Sequence, residues 1–467
     1  MTEQRRPDVN GIDDRVFPKG THRGSNCRQL KVGGVKTPEL VERFGSPLYV
    51  VDEDHARATA REIRDALRSE AQRIGTDATV YYAGKAFLCV EVARWMDDEG
   101  LSIDVASGGE LLIALAAGVA PEHIGFHGNN KSESEIRRAV EAGVGTIIID
   151  SEIEVERIAA AAAAAGKQQR VRLRVNSGVH ASTHDYLATS HEDQKFGMPL
   201  GDAPALVRKI VAHDNLIFLG LHCHIGSQIF ATEGFRESAE RLLGMYGELA
   251  EITGAPIPEL NLGGGFGIAY TSAEAETAPN IGEIARQLAD IVRDVCADEG
   301  LELPHLVFEP GRSIIGQAGV TLYTVGTTKH VQLAGSDAAA DPVDLGYAER
   351  LYVSVDGGMS DNARPALYGS DYHVRIANRE STADPALVRV VGKHCESGDI
   401  VVYRDELPGD VTPGDILAVA ATGAYCWSLS NNYNYVPRPP VVALRDGEAR
   451  IIVHGESEED LLARNVL

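Results

Sequence analysis

None of the six cysteines, Cys27, Cys89, Cys223, Cys296, Cys395 and Cys426, sits in a CxxC pair or any metal-finger spacing. That dispersal argues against a disulfide framework or zinc ribbon and fits a reducing cytoplasm. Basic residues are also short, 44 against 68 acidic ones for a formal charge of −24. Such a balance disfavours nucleic acid and anionic membrane surfaces as partners, and an acidic chain that binds an anionic ligand must gather its positive groups locally. Long apolar runs are missing too. Met1 to Val16 is polar and charged, and the alanine run 159–165 is too short to cross a bilayer, so neither a secretion signal nor a membrane span is expected. What remains is an ordinary globular composition over 467 residues, long enough for two to three domains.

From about residue 54 helical patterns alternate with short strand patterns, the signature of parallel βα units. Eight strands are expected: Thr79–Tyr82, Ser102–Val105, Ile124–His127, Thr146–Asp150, Arg170–Val175, Phe218–His224, Glu259–Leu262 and Leu306–Glu309. Amphipathic stretches such as Glu133–Ala142, Phe235–Ile252 and Ile281–Ala297 separate them, and a helix over Asp54–Ile74 precedes them. Eight repeats imply an α/β fold, a (β/α)8 TIM-like barrel over residues 50–315. After Arg312 short strands alternate with Gly, Pro and Asp, so residues 316–467 together with 1–49 are expected to form a mainly β domain. Cys27–Val32 is the N-terminal strand expected to join that sheet, and 332–349 reads as an exposed loop.

In such a barrel the active site lies where the strands end, and here those ends are unusually polar. The segment Thr79 to Phe87 is apolar, β-branched and aromatic, and reads as a buried strand ending on a lone lysine, Lys85. A snorkelling lysine is one reading; a desolvated amine that forms a Schiff base with an aldehyde cofactor is the other. Asp104 and Ser107 follow the second strand, His127 and Asn129 the third, Arg174 and Asn176 the fifth, and Glu309 closes the eighth. Gly263–Gly267 falls where barrels commonly bind phosphate, although a glycine run also makes a plain tight turn. Glu309, between Val307-Phe308 and a Pro-Gly turn, is expected to be partly buried and so to want a cation, which a protonated pyridine nitrogen would supply. His222 and His224 alternate on the predicted strand and should point the same way; His224 reads as a core histidine or as a ring stacked on a cofactor. The pair also suits a metal, but no third ligand has matching spacing, and no metal is expected.

Taken in order, YYAGKAF, DVASGGEL, HCHIGSQ, NLGGGFG, EPGRS, ARPALYG, CESGD and GAY resemble the diaminopimelate decarboxylases, a family of the alanine racemase-like pyridoxal phosphate enzymes. The resemblance runs from about residue 28 to the C-terminus. It implies a cofactor-binding barrel plus a β domain, a head-to-tail homodimer with shared active sites, and pyridoxal 5'-phosphate as cofactor. Carried over, Lys85 would hold the cofactor covalently, Glu309 would meet the pyridine nitrogen and His224 would stack on the ring. Ser227, the backbone of Gly264, Gly265 and Gly267, and Tyr425 would hold the phosphate, with Asp104, Arg174 and Gly311 close to the cofactor. Arg312, Arg364 and Tyr368 would clamp the distal carboxylate of the substrate and Glu396 its distal amine, with Tyr425 also on the substrate side. Cys395, supplied by the partner subunit, would protonate the carbanion after carbon dioxide leaves. Residues 180–194 resemble the family's flexible loop.

The reaction so implied is decarboxylation of meso-2,6-diaminopimelate at its D-centre to L-lysine, the last step of lysine biosynthesis. Two arginines and an acid suit a diamino diacid; sister decarboxylases acting on ornithine or arginine would want more acids around the pocket. Racemases of this fold normally set arginine against the pyridine nitrogen, which Glu309 argues against. A non-catalytic relative should have lost Lys85 or Cys395, and both are present.

Overall fold

The computed structural model describes residues 8–25, 28–179, 195–333 and 347–466. The calls on residues 180–194 and on most of 332–349, and Cys27, lie outside the described residues. The chain divides into two compact units. One comprises Arg57–Ile268 and Ala278–Ile314; the other comprises the described residues up to Ala56, Ala269–Thr277, and those from Ile315 onward.

The first unit is the expected (β/α)8 barrel. Its strands are β1 (Ala78–Ala83), β2 (Ser102–Val105), β3 (Ile124–Phe126), β4 (Thr146–Ile149), β5 (Gln169–Asn176), β6 (Leu216–His222), β7 (Glu259–Asn261) and β8 (His305–Phe308). All neighbours pair in parallel, β8 returns to β1 through Val307 opposite Thr79, and β4 pairs β5, so the sheet closes. Strands covered on both faces read as near-continuous apolar runs, which is why their sequences stand out. Tyr82, Phe126 and Phe308 are fully buried on three of them.

The helices carry their own start and stop signals. Ser132 opens Glu133–Ala142 with a capping box to Glu135, and Gly143 ends it in the left-handed conformation. Ser107 and Asn280 cap Gly108–Ala116 and Ile281–Glu299 by accepting the N–H of Glu110 and of Glu283, each cap contributing about 1 kcal/mol. Two expectations need correction. The predicted helix Phe235–Ile252 is two helices, Glu233–Leu243 and Tyr246–Thr253. The join is hard to read because Gly244 and Met245 keep near-helical dihedrals, φ −57° and −86°. The sixth strand stops at His222, not His224, so the two histidines do not share a strand face.

The second unit is mainly β. Its long central strand, Gly319–Gln332, pairs antiparallel with Leu48–Asp52 on one side and Glu349–Val355 on the other, and also with Ile416–Val419. Val441–Arg445 adds in parallel to Leu48–Asp52. The N-terminal contribution to this sheet is therefore Leu48–Asp52, an unbroken buried run, and not Cys27–Val32. Of the described residues of that segment only Leu30–Val32 form a strand, in a separate three-stranded sheet with His22–Arg23 and Val35–Lys36.

Candidate active site

Barrel closure brings side chains from three other strand ends onto one carboxylate. Glu309 follows β8 directly; its Oε1 accepts from Asn261 Nδ2 at 2.6 Å, and its Oε2 lies 3.0 Å from His222 Nε2. His127, just past β3, places Nε2 3.3 Å from Glu309 and 3.2 Å from Asp104 of β2. The His127 and His222 rings meet edge-on, with centroids 5.2 Å apart. Gly125 makes the room, because a Cβ there would come within 2.5 Å of Asp104 Oδ1.

Electrostatics assign the protons. Burial works to raise the Glu309 carboxyl, but His222 and His127 outweigh it and hold Glu309 well below the ordinary range. Burial likewise opposes charge on His127, yet Glu309 and Asp104 together lift it to about 9, so it is an imidazolium. His222 faces one carboxylate instead of two; burial wins there and pulls it to about 4. A carboxylate only accepts, so neutral His222 carries its proton on Nε2 and donates it to Glu309. Asp104 is raised to about 6 by burial and by Glu309. Neither of its carboxylate oxygens has a well-oriented hydrogen-bond donor. Two carboxylates against one imidazolium leave negative charge to spare, which a protonated ring nitrogen would complement.

The phosphate side fits as well. Gly263–Gly267 follows β7, with Gly263 and Gly265 at φ +68° and +101°. A Cβ on Gly264 would stand 2.0 Å from Glu309 O, and one on Gly265 2.2 Å from Gly226 O, so only glycine allows this close backbone weave. Asn261 Oδ1 accepts the Gly263 N–H at 2.8 Å and locks the turn to the strand. Arg312 is buried and donates from Nη2 to Ser227 Oγ at 2.8 Å, a cation and a hydroxyl suited to an anion. The residues present therefore fit pyridoxal phosphate.

His224, two residues past β6, accepts the Gly264 N–H on Nδ1 at 3.3 Å. Burial, with Lys85 and Arg174 nearby, holds it well below the ordinary histidine range, so it is a neutral flat ring. Arg174 on β5 is buried, its guanidinium carbon 4.5 Å over the Phe196 ring and its Nε 3.9 Å from Asp150. Lys85 departs from expectation: it lies on the single turn Gly84–Ala86, exposed, and not on a buried strand. The turn packs closely on the neighbouring strand, since a Cβ on Gly84 would come 2.7 Å from Asp104 O. Gly311 meets the backbone of Ala83 from the other side of the same strand end.

In the second unit, Arg364 starts the short helix Arg364–Tyr368 and is buried, its guanidinium carbon 4.6 Å over the Tyr270 ring and Nη1 donating to Tyr372 Oη at 2.6 Å. Tyr425 lies 6.0 Å from that guanidinium at a left-handed φ of 65°. Tyr368 is half-buried, and Cys395 and Glu396 are exposed side by side.

Sequence reasoning gave no role to Asn261 or His127. The signal for Asn261 lay within NLGGGFG, two residues before the glycine run begins. His127 also supplies what spacing could not: with His222 and Glu309 it forms a three-donor set within 4.8 Å, which His224 does not join.

Residues 60–316 match the family described as pyridoxal-dependent decarboxylase, pyridoxal binding domain. The chain is 48% identical over 457 residues to the diaminopimelate decarboxylase of Mycobacterium tuberculosis, covering 97% of this chain and 98% of that one. It is 41% identical over 449 residues to that of Bacillus subtilis, covering 96% and 97%. The crystal structure of the diaminopimelate decarboxylase of M. jannaschii in complex with L-lysine superposes with a TM-score of 0.84 at 30% identity, covering 95% of this chain and 97% of that one. This chain belongs to the diaminopimelate decarboxylase family of pyridoxal-dependent decarboxylases.

Proposed function

We propose that this protein decarboxylates meso-2,6-diaminopimelate at its D-centre, giving L-lysine and carbon dioxide, and that it does so as a cytoplasmic homodimer with shared active sites. The observation that carries the reading is the Glu309 carboxylate, kept ionised at the barrel mouth by Asn261, His222 and His127. Pyridoxal phosphate, when bound, supplies an electron-withdrawing ring that takes up the charge left as the carboxylate departs.

The chain's own groups do the rest. Lys85 Nζ would hold the cofactor covalently, Glu309 would meet the ring nitrogen with Asp104 close by, and His224 would stack on the ring. Ser227, Gly264, Gly265, Gly267 and Tyr425 would hold the phosphate, with Arg174 and Gly311 close to the cofactor. Arg312, Arg364 and Tyr368 would orient the distal carboxylate and Glu396 the distal amine, fixing how the substrate is presented for decarboxylation. Cys395 Sγ of the partner subunit carries the proton that replaces the lost carboxylate. A substrate lacking the second carboxylate forgoes its contacts with these buried arginines and is rejected.

The test is carbon dioxide release from meso-, LL- and DD-diaminopimelate, ornithine and lysine. Release is expected only from the diaminopimelates that carry a D-centre, the meso form above all; equal turnover of ornithine would overturn the specificity.

A further inference from the structure

The loop that carries Cys395 is fastened from two directions. On its inner side the Asp399 carboxylate accepts the N–H of Met359 at 2.6 Å and of His394 at 2.7 Å. Gly358 and Gly392 clear the space, since a Cβ on either would come within 2.4 Å of that carboxylate. On the outer side stands Asn434, far along the chain. Its Oδ1 accepts the Cys395 N–H at 3.3 Å and lies 3.2 Å from His394 Nδ1. His394 is buried, and its Nε2 pairs with Ser360 Oγ at 2.9 Å. One tautomer satisfies the whole line: Nδ1–H donates to Asn434, and Nε2 accepts from the Ser360 hydroxyl. Asn434 itself is left-handed, at φ 52° and ψ 25°, a conformation that asparagine and glycine tolerate best. The neighbouring Tyr433 ring leans on His394, centroids 5.5 Å apart.

We infer that Asn434 is a positioning residue for the Cys395 thiol, one side-chain oxygen fixing both the Cys395 backbone and the His394 ring beside it. The inference rests on the reading of Cys395 as the proton source. Delivery of a proton to one carbon demands a fixed Sγ, and the exposed loop Cys395–Ser397 has little packing of its own to supply that. Asn434 supplies it through the Cys395 backbone and the His394 ring.

Two variants separate the side chain from the turn. Asn434→Gly keeps the left-handed backbone and removes the amide; Asn434→Asp keeps an acceptor oxygen at the same place. Each holoenzyme is alkylated with iodoacetamide across a range of pH, and labelling at Cys395 is quantified by peptide mass mapping, alongside kcat and KM for meso-diaminopimelate. In Asn434→Gly the labelling profile is expected to shift and kcat to fall about tenfold with KM little changed. Asn434→Asp should bring both back towards the parent. A parent-like labelling profile in Asn434→Gly overturns the inference, and so does a shift that Asn434→Asp fails to reverse. Normal turnover in Cys395→Ala would instead defeat the assignment of Cys395, a failure distinct from that of the labelling profile.

Discussion

His127 stands between two carboxylates, and the contest of burial against those charges decides its protonation. Its folded value near 9 lies above the ordinary 6.5, so its contribution to stability is fully present below about pH 6.5 and is lost as the pH rises through 9. Asp104 and Glu309 titrate below that window, at about 6 and well under 4.5, and the buried Asp361 near 7 is common to any His127 variant. His127→Gln keeps a donor and removes the charge. In the apoprotein the parent should lose more stability than the variant between pH 6.5 and 9, read from denaturant midpoints at each pH. Parallel curves would show that His127 is not an imidazolium. The sequence displayed His127 as a polar residue at a strand end but could not show its role. That role depends on Asp104 and Glu309, 23 residues before it and 182 after it, meeting through barrel closure. Lys85 shows the same limit from the other side: its position in the chain was legible, its exposure was not, because the strand ends at Ala83 and the next three residues form a single turn inside an otherwise strand-like apolar run.

At the scale of the element, the turn Gly263–Gly267 ties β7 to β8 and to the loop after β6. Glu309 N–H donates to Gly263 O at 2.8 Å, and Ile229 N–H to Gly265 O at 2.9 Å. Gly264 has an ordinary φ, so the objection to a side chain there is steric alone: the Glu309 carbonyl sits 2.0 Å from where the Cβ would be. Backbone, unlike the end of a flexible side chain, cannot swing aside. Gly264→Ala is therefore expected to cost roughly 2–4 kcal/mol of stability and to displace Glu309, weakening cofactor retention. Ser132→Ala, which removes only a helix cap, should cost about 1 kcal/mol and leave cofactor retention intact. Denaturant unfolding and cofactor absorbance on both variants check this; an unperturbed Gly264→Ala would mean that the weave is looser than described. Barrel strands were legible because both faces are buried, and helix ends because serine, asparagine and glycine mark them. The break between Glu233–Leu243 and Tyr246–Thr253 was not, since no residue there leaves the helical region.

For the whole molecule, the β domain's sheet was legible in kind but not in its N-terminal member. Leu48–Asp52 outcompetes Cys27–Val32 because all five of its residues are buried between Gly319–Gln332 and Val441–Arg445, a place for an apolar run with no polar face. The scarcity of basic residues also resolves at this scale: in a chain of −24, Arg312 and Arg364 are both buried, so the positive charge an anionic substrate needs is concentrated at a few enclosed points. The proposed homodimer makes a sharper claim, that Lys85 of one subunit and Cys395 of the other serve one site. Lys85→Ala and Cys395→Ala should each be nearly inactive alone. When the two are dissociated, mixed and reassociated, random pairing makes half the dimers mixed, and each mixed dimer has one site with both residues intact. Activity should then return to about a quarter of the parent value, rising with time as subunits exchange. A mixture that stays as inactive as its components, although exchange is confirmed by mass-tagged subunits, would place Lys85 and Cys395 of each site on the same chain.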